Sequence, residues 1–172
     1  MKRLIGASLA AMLMVGLVAS TALAAPATKY RTFGTGEVTL SGNGGTITND
    51  AGEFGGIYTN SKSTKALLAS VDYGFTATGT VAGGAPRLSI PVDSDDAGSG
   101  WDLFAFIDVN SCASGFVSTT SATCGVYIGS EFFANWDLLA AAHPTWRMAS
   151  DTMPFAIADQ AGTYVLSNID LD

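Results

Sequence analysis

The chain has 172 residues, with 48% apolar, only 13% charged, and 15 acidic against 8 basic side chains for a net charge of −7. So little charge beside so many aromatics excludes a disordered chain. The acidic balance also excludes recruitment by nucleic acid or anionic lipid, whose phosphates it repels.

Lys2 and Arg3 precede an uncharged apolar stretch over 4–18, which gives way to Ala22-Leu23-Ala24. Basic, apolar and small-residue segments in this order read as a cleavable secretory signal, cut after Ala24. The apolar run is shorter than the roughly 20 residues of a spanning helix, so no membrane span is expected once 1–24 is removed. The expected location is outside the cytoplasm, in a periplasm, at a cell surface or in the medium. Processing leaves six basic against fifteen acidic residues, a net charge near −9. Residues 25–33 read as a short exposed lead-in. Residues 34–172 read as a single domain, because no long linker or fixed-period repeat divides them, and about 150 residues suffice for a real core.

Glu37-Val38-Thr39-Leu40 alternates polar and apolar, Asn43-Gly44-Gly45 reads as a turn, and Thr46-Ile47-Thr48 resumes the alternation, so a hairpin is expected. Residues 54–58 read as a short edge strand and 60–65 as a polar loop. Val71, Tyr73, Phe75 and Ala77 alternate with Asp72, Gly74, Thr76 and Thr78, the pattern of a half-buried strand. Beyond a Gly83-Gly84 turn, Leu88, Ile90 and Val92 mark another strand, and Pro91 within it suggests a sheet edge or a strand end. Residues 103–107 are apolar on both faces, as in a central strand, and 125–128 form a further strand.

The period then changes. Asn135 is an N-cap, Asp137 suits the positive end of the helix dipole, and Pro144 stops the helix near 136–143. Residues 155–158 and 163–171 close the chain as strands. The expected fold is all-β and mainly antiparallel: a two-sheet sandwich, jelly-roll-like, of eight to ten strands with one short helix.

Cys112 and Cys124 bracket eleven residues rich in Ser and Thr. An even pair in an oxidising compartment reads as a disulfide. Asp93, Asp95, Asp96 and Asp102 form the densest carboxylate cluster. Alternate acids followed by Gly98 can curl around a hard, oxygen-seeking cation, so these four are candidate calcium ligands. The order resembles the first half of an EF-hand-type loop, but Ala97 and Phe104 fall where that loop places ligands. The same residues also make an ordinary solvated turn.

Trp101, between this cluster and the central strand, is the candidate ligand-binding ring. Trp136 and Trp146 flank the helix and are expected to staple it to the sheet. No catalytic residues are assigned. A G-x-S-x-G elbow is absent from the sequence, and His143 falls at the helix end as a cap. Glu37, Glu53 or Glu131 would need a second carboxylate across a cleft to hydrolyse a glycoside.

The expected function is that of a secreted, non-catalytic β-sandwich that binds a glycan or a cell-envelope component. The alternatives are a structural or matrix protein working through protein contacts, and a small carboxylate-dependent hydrolase. Calcium is the one cofactor the sequence suggests.

Overall fold

The computed structural model describes residues 29–59, 61, 65–95 and 100–172. The segment 1–24, expected from the sequence to be a signal, and Asp96 lie outside the described residues. Among the described residues thirteen strands form two antiparallel sheets. The larger runs β1 (Tyr30–Gly34), β4 (Gly55–Thr59), β12 (Phe155–Ala158), β6 (Arg87–Asp93), β7 (Leu103–Asp108), β9 (Val126–Ile128) and β10 (Glu131–Phe133), with the short β11 (Arg147–Met148) also paired to β6. The smaller runs β2 (Glu37–Ser41), β3 (Gly44–Asn49), β13 (Gly162–Asp170), β5 (Gly74–Gly79) and β8 (Phe116–Ser118). This is the all-β two-sheet sandwich that the alternation predicts.

The core is the sum of the two inward faces. Ile57, Leu88, Ile90, Ala105, Ile107 and Val126 come from the large sheet, and Ile47, Phe75, Val117, Tyr164 and Leu166 from the small one. Each large aliphatic or aromatic side chain fully buried there contributes about 1.5–3 kcal/mol before conformational entropy is counted.

The helix α1 (Trp136–Ala142) begins as its sequence dictates, with Asn135 Oδ1 accepting from the Leu138 N–H at 3.0 Å. Trp136 is 1% exposed and its indole N–H donates to the Leu68 carbonyl at 2.7 Å, which fastens the helix to the sandwich. The backbone N–H of His143 caps the other end on the Leu139 carbonyl.

The disulfide joins Cys112 to Cys124. Cys112 follows β7 and Cys124 precedes β9, both of the large sheet, and between the two cysteines the chain adds β8 to the edge of the small sheet. The cross-link therefore closes the excursion that ties the two sheets together at this end.

Four local expectations are corrected. The stretch expected as an exposed lead-in to residue 33 is strand β1 from Tyr30 onward. The Tyr30 ring is buried and its hydroxyl donates to the Ile169 carbonyl, while Arg31 and Thr32 stay exposed and mask the pattern. Because β1 covers it, β4 is an inner strand and not an edge.

The hairpin turn is Gly42-Asn43, and Gly44 and Gly45 belong to β3. A Cβ on Gly44 would meet the Leu166 carbonyl oxygen at 2.4 Å, and one on Gly45 would meet Thr39 O at 2.7 Å. These glycines serve close packing within the sheet. Lastly, β6 lies at the centre despite Pro91. Pairing to β12 ends at Ser89 and pairing to β11 begins at Val92, so Pro91 sits in the gap where no ladder donor is required.

Candidate functional site

Alternation along each strand decides what the large sheet presents on its outside. On β12, Ala156 and Ala158 face the core and Phe155 and Ile157 face outward; on β7, Ala105 and Ile107 face in and Phe104 and Phe106 out. Tyr127 projects outward between the buried Val126 and Ile128 of β9. With Phe33 on β1, Tyr58 on β4 and Phe132 on β10, every strand of the path except β6 places a ring on this face. From β6 come Arg87, Ser89 and Pro91.

The rings touch one another. Centroids lie 5.4 Å apart for Phe33 and Phe155, 5.8 Å for Phe155 and Phe104, and 4.4 Å for Phe104 and Trp101. Phe104 stacks on Phe106 at 6.0 Å with 17° between their planes. Tilted and edge-to-face contacts of this kind contribute about 0.5–1.5 kcal/mol each beyond the area they bury. Phe33 lies flat across Gly56, where a Cβ would come within 2.3 Å of its ring atoms. Only glycine lets that ring settle on the sheet. Beneath the rings, the Ser89 hydroxyl is buried and makes no hydrogen bond to the described residues.

At one end of the row Phe33, Tyr58 and Phe155 form the floor of a groove of about 300 Å³, rimmed by Asp151, Thr152 and Met153. That size is at the lower end of small-molecule pockets, and an apolar floor with a few polar groups on its rim is their usual make-up. Gly100 adjoins this rim, since a Cβ there would lie 3.7 Å from Asp151 Oδ2. The next residue, Trp101, is 49% exposed and continues the ring row.

At the other end, Arg87 holds Asp159 through its two terminal guanidinium nitrogens, at 2.6 and 3.3 Å, and lies 5.4 Å from the Phe106 ring centre. Asp108 sits opposite Arg87 across the β6–β7 ladder. Burial pushes its carboxyl above the ordinary carboxylate value, an effect that the Arg87 charge opposes and the Asp159 charge reinforces.

The sequence-derived candidates are distributed as follows. Trp101 joins the aromatic face. Asp93 ends β6 at 3% exposure, with its carboxylate 3.7 Å from Lys65 Nζ. Asp102 accepts from both the backbone N–H and the hydroxyl of Ser94. Asp95 is exposed at a different groove, shared with Ser94, Leu67 and Arg147. Among the described residues no three His, Cys, Asp or Glu side chains come together as a metal cluster, and Asp96 is not among those residues.

Glu37 and Glu53 do share a groove of about 330 Å³ with Asp50, but Glu53 accepts the Asp50 backbone N–H at 2.9 Å and so closes a turn. Glu131 is elsewhere, 3.6 Å from His143 Nε2, and that imidazole stacks on Trp146 at 3.6 Å. Among the described residues no helix is long and apolar enough to cross a membrane.

Of the residues that line the groove, Phe33, Asp151 and Phe155 were not among the sequence candidates. Their signal was present in the strands: small inward residues alternating with large outward rings, as in Phe155-Ala156-Ile157-Ala158, mark an outer face that is itself apolar. Comparison with protein-family models, with curated proteins and with solved structures returned no match.

Proposed function

We propose that this protein is an exported, non-catalytic binding module that holds a neutral glycan on the aromatic face of its large sheet. The observation that carries this reading is the unbroken contact of rings from Trp101 through Phe104 and Phe155 to Phe33, ending in a groove rimmed by Asp151 and Thr152. A sugar ring presents C–H bonds with positive edges to the negative face of an aromatic ring. Its hydroxyls then need acceptors beside that ring, which a carboxylate and a hydroxyl on the rim supply. The acidic surface disfavours anionic polymers and leaves neutral ones. Export is supported by the signal-like pattern over 1–24 and by the disulfide, a bond that persists in oxidising compartments.

The rival reading, docking of a protein partner on the same face, draws on the predominance of Phe, a side chain with no polar tip. Retention of the purified protein on cellulose, chitin and mannan, in calcium and again with a chelator, separates the two. Retention on at least one of them, lost in Trp101→Ala, supports the glycan reading. If the chelator abolishes retention, the loop carrying Asp93, Asp95, Asp96 and Asp102 takes part through calcium. Absence of retention on every polysaccharide overturns the glycan reading in favour of a protein partner.

A further inference from the structure

At the far end of the aromatic face a second groove of about 270 Å³ opens among Gly83, Gly84, Asp108, Asn110, Ser111 and Tyr127. Its construction is local and specific. Gly83 and Gly84 form a two-residue hairpin loop between the paired Ala82 and Ala85, both with positive φ, at 57° and 87°. Such a turn is open to glycine and to few other residues. The missing side chain at Gly84 also keeps the groove clear, for a Cβ there would press within 3.0 Å of Asp108 Oδ2. Tyr127 is 46% exposed and offers both a ring face and a hydroxyl. Ser111 is already committed, its one hydroxyl proton shared between the Asp108 and Gly125 carbonyls, which leaves Asp108, Asn110 and Tyr127 to meet a ligand.

This groove lies on the same ring track as the first. Tyr127 is the cross-strand partner of Phe106, Phe106 stacks on Phe104, and Phe104 touches Phe155, which forms part of the floor of the first groove. Between β4 and β9 the strand order is β4-β12-β6-β7-β9. Four inter-strand steps of about 4.8 Å put the two grooves roughly 19 Å apart, measured across the strands. A single sugar cannot touch both, whereas an extended chain lying over the rings reaches from one to the other.

We infer that the aromatic face binds an extended neutral polysaccharide running across the strands, with a second subsite formed by Asp108, Asn110 and Tyr127. This rests on the glycan reading above and adds to it a chain length, a direction and a second set of contacts.

The test is calorimetric titration of the purified protein with cello-, chito- and manno-oligosaccharides, each from disaccharide to octasaccharide. The expected result is an affinity that rises about tenfold or more with length in the series that binds. Tyr127→Ala should erase that gain, so that the octasaccharide binds the variant no more tightly than the disaccharide does. Asp108→Asn, which keeps the side-chain shape, should reduce the gain in the same length-dependent way, so the outcome does not hinge on one variant. Thermal midpoints of both variants are measured alongside. Affinity independent of length, or variants that bind the longest oligomer as the parent does, overturns the second subsite and leaves the first groove standing. Failure of every oligomer to bind overturns the glycan reading and this inference with it.

Discussion

On the outside of the small sheet, threonine dominates. Thr39 pairs with Thr46, Thr48 with Thr163, and Thr78 with Val165, with Glu37, Ser41 and Ser167 at the margins. On the outside of the large sheet the corresponding positions hold Phe33, Tyr58, Phe155, Phe104, Phe106 and Tyr127. Both faces satisfy strand preference, since β-branched and aromatic residues suit a pleated surface equally. They differ in what they ask of solvent. A threonine hydroxyl is at home in water, while a row of half-exposed rings forms an apolar patch of the kind that marks an interaction site. Folding requires the inward faces of both sheets but requires rings on neither outer face, and the contrast therefore supports the binding role proposed for the large sheet.

The largest effect that bears on this contrast concerns the link between the sheets. Replacing Cys112 and Cys124 together with serine releases the excursion that carries β8 to the small sheet and returns as β9. The expected loss is about 3 kcal/mol for a loop of this length, and a thermal midpoint lower by roughly 10 °C would register it. A midpoint unchanged in the double variant would mean that the excursion is held by packing alone.

A smaller effect separates the faces directly. Phe155→Ala removes the ring that touches both Phe33 and Phe104, and should cost about 1–2 kcal/mol in thermal unfolding as well as glycan retention. Thr163→Ala on the opposite face should change stability by less than about 0.5 kcal/mol and retention not at all. Equal responses from the two faces would erase the distinction.

The smallest effect is pH-dependent. Burial raises the Asp108 pKa in the folded state, so the folded chain holds that proton more tightly than the unfolded one. Stability then falls as pH rises from the ordinary carboxylate range through the folded pKa, and the whole penalty is present above it. Asp108→Asn should accordingly raise the thermal midpoint at neutral pH, with the advantage disappearing below the carboxylate range. A neutral-pH midpoint lowered by the substitution would show that the Arg87 attraction outweighs burial.

Much of the sandwich was legible in the sequence because its signals are local. The alternation that becomes β5, which begins at Gly74 and not at Val71, the apolar run over 103–107, the Asn135 cap and the cysteine pair each declare themselves within a few residues. Short strands such as β8, β10 and β11 were missed because two or three residues cannot establish a period. The aromatic face was missed for a different reason: its rings come from strands that are neighbours in the sheet but lie far apart in the chain, so Phe33, Phe104 and Phe155 meet only after the topology is known. Trp101 was legible because it stands next to residues already of interest, whereas Asp151 had no local pattern to mark it.

Lys29, just before β1, donates from Nζ to Asp172 Oδ1 at 2.7 Å, so the two ends of the described fold stand side by side. Chains with adjacent ends tolerate circular permutation. A short linker from Asp172 to Lys29, with new ends opened at the exposed Gly42-Asn43 turn, would keep every strand pairing of both sheets while moving the points of attachment to the far end of the β2–β3 hairpin. The order in which the strands are synthesised is thus separable from the surface they build.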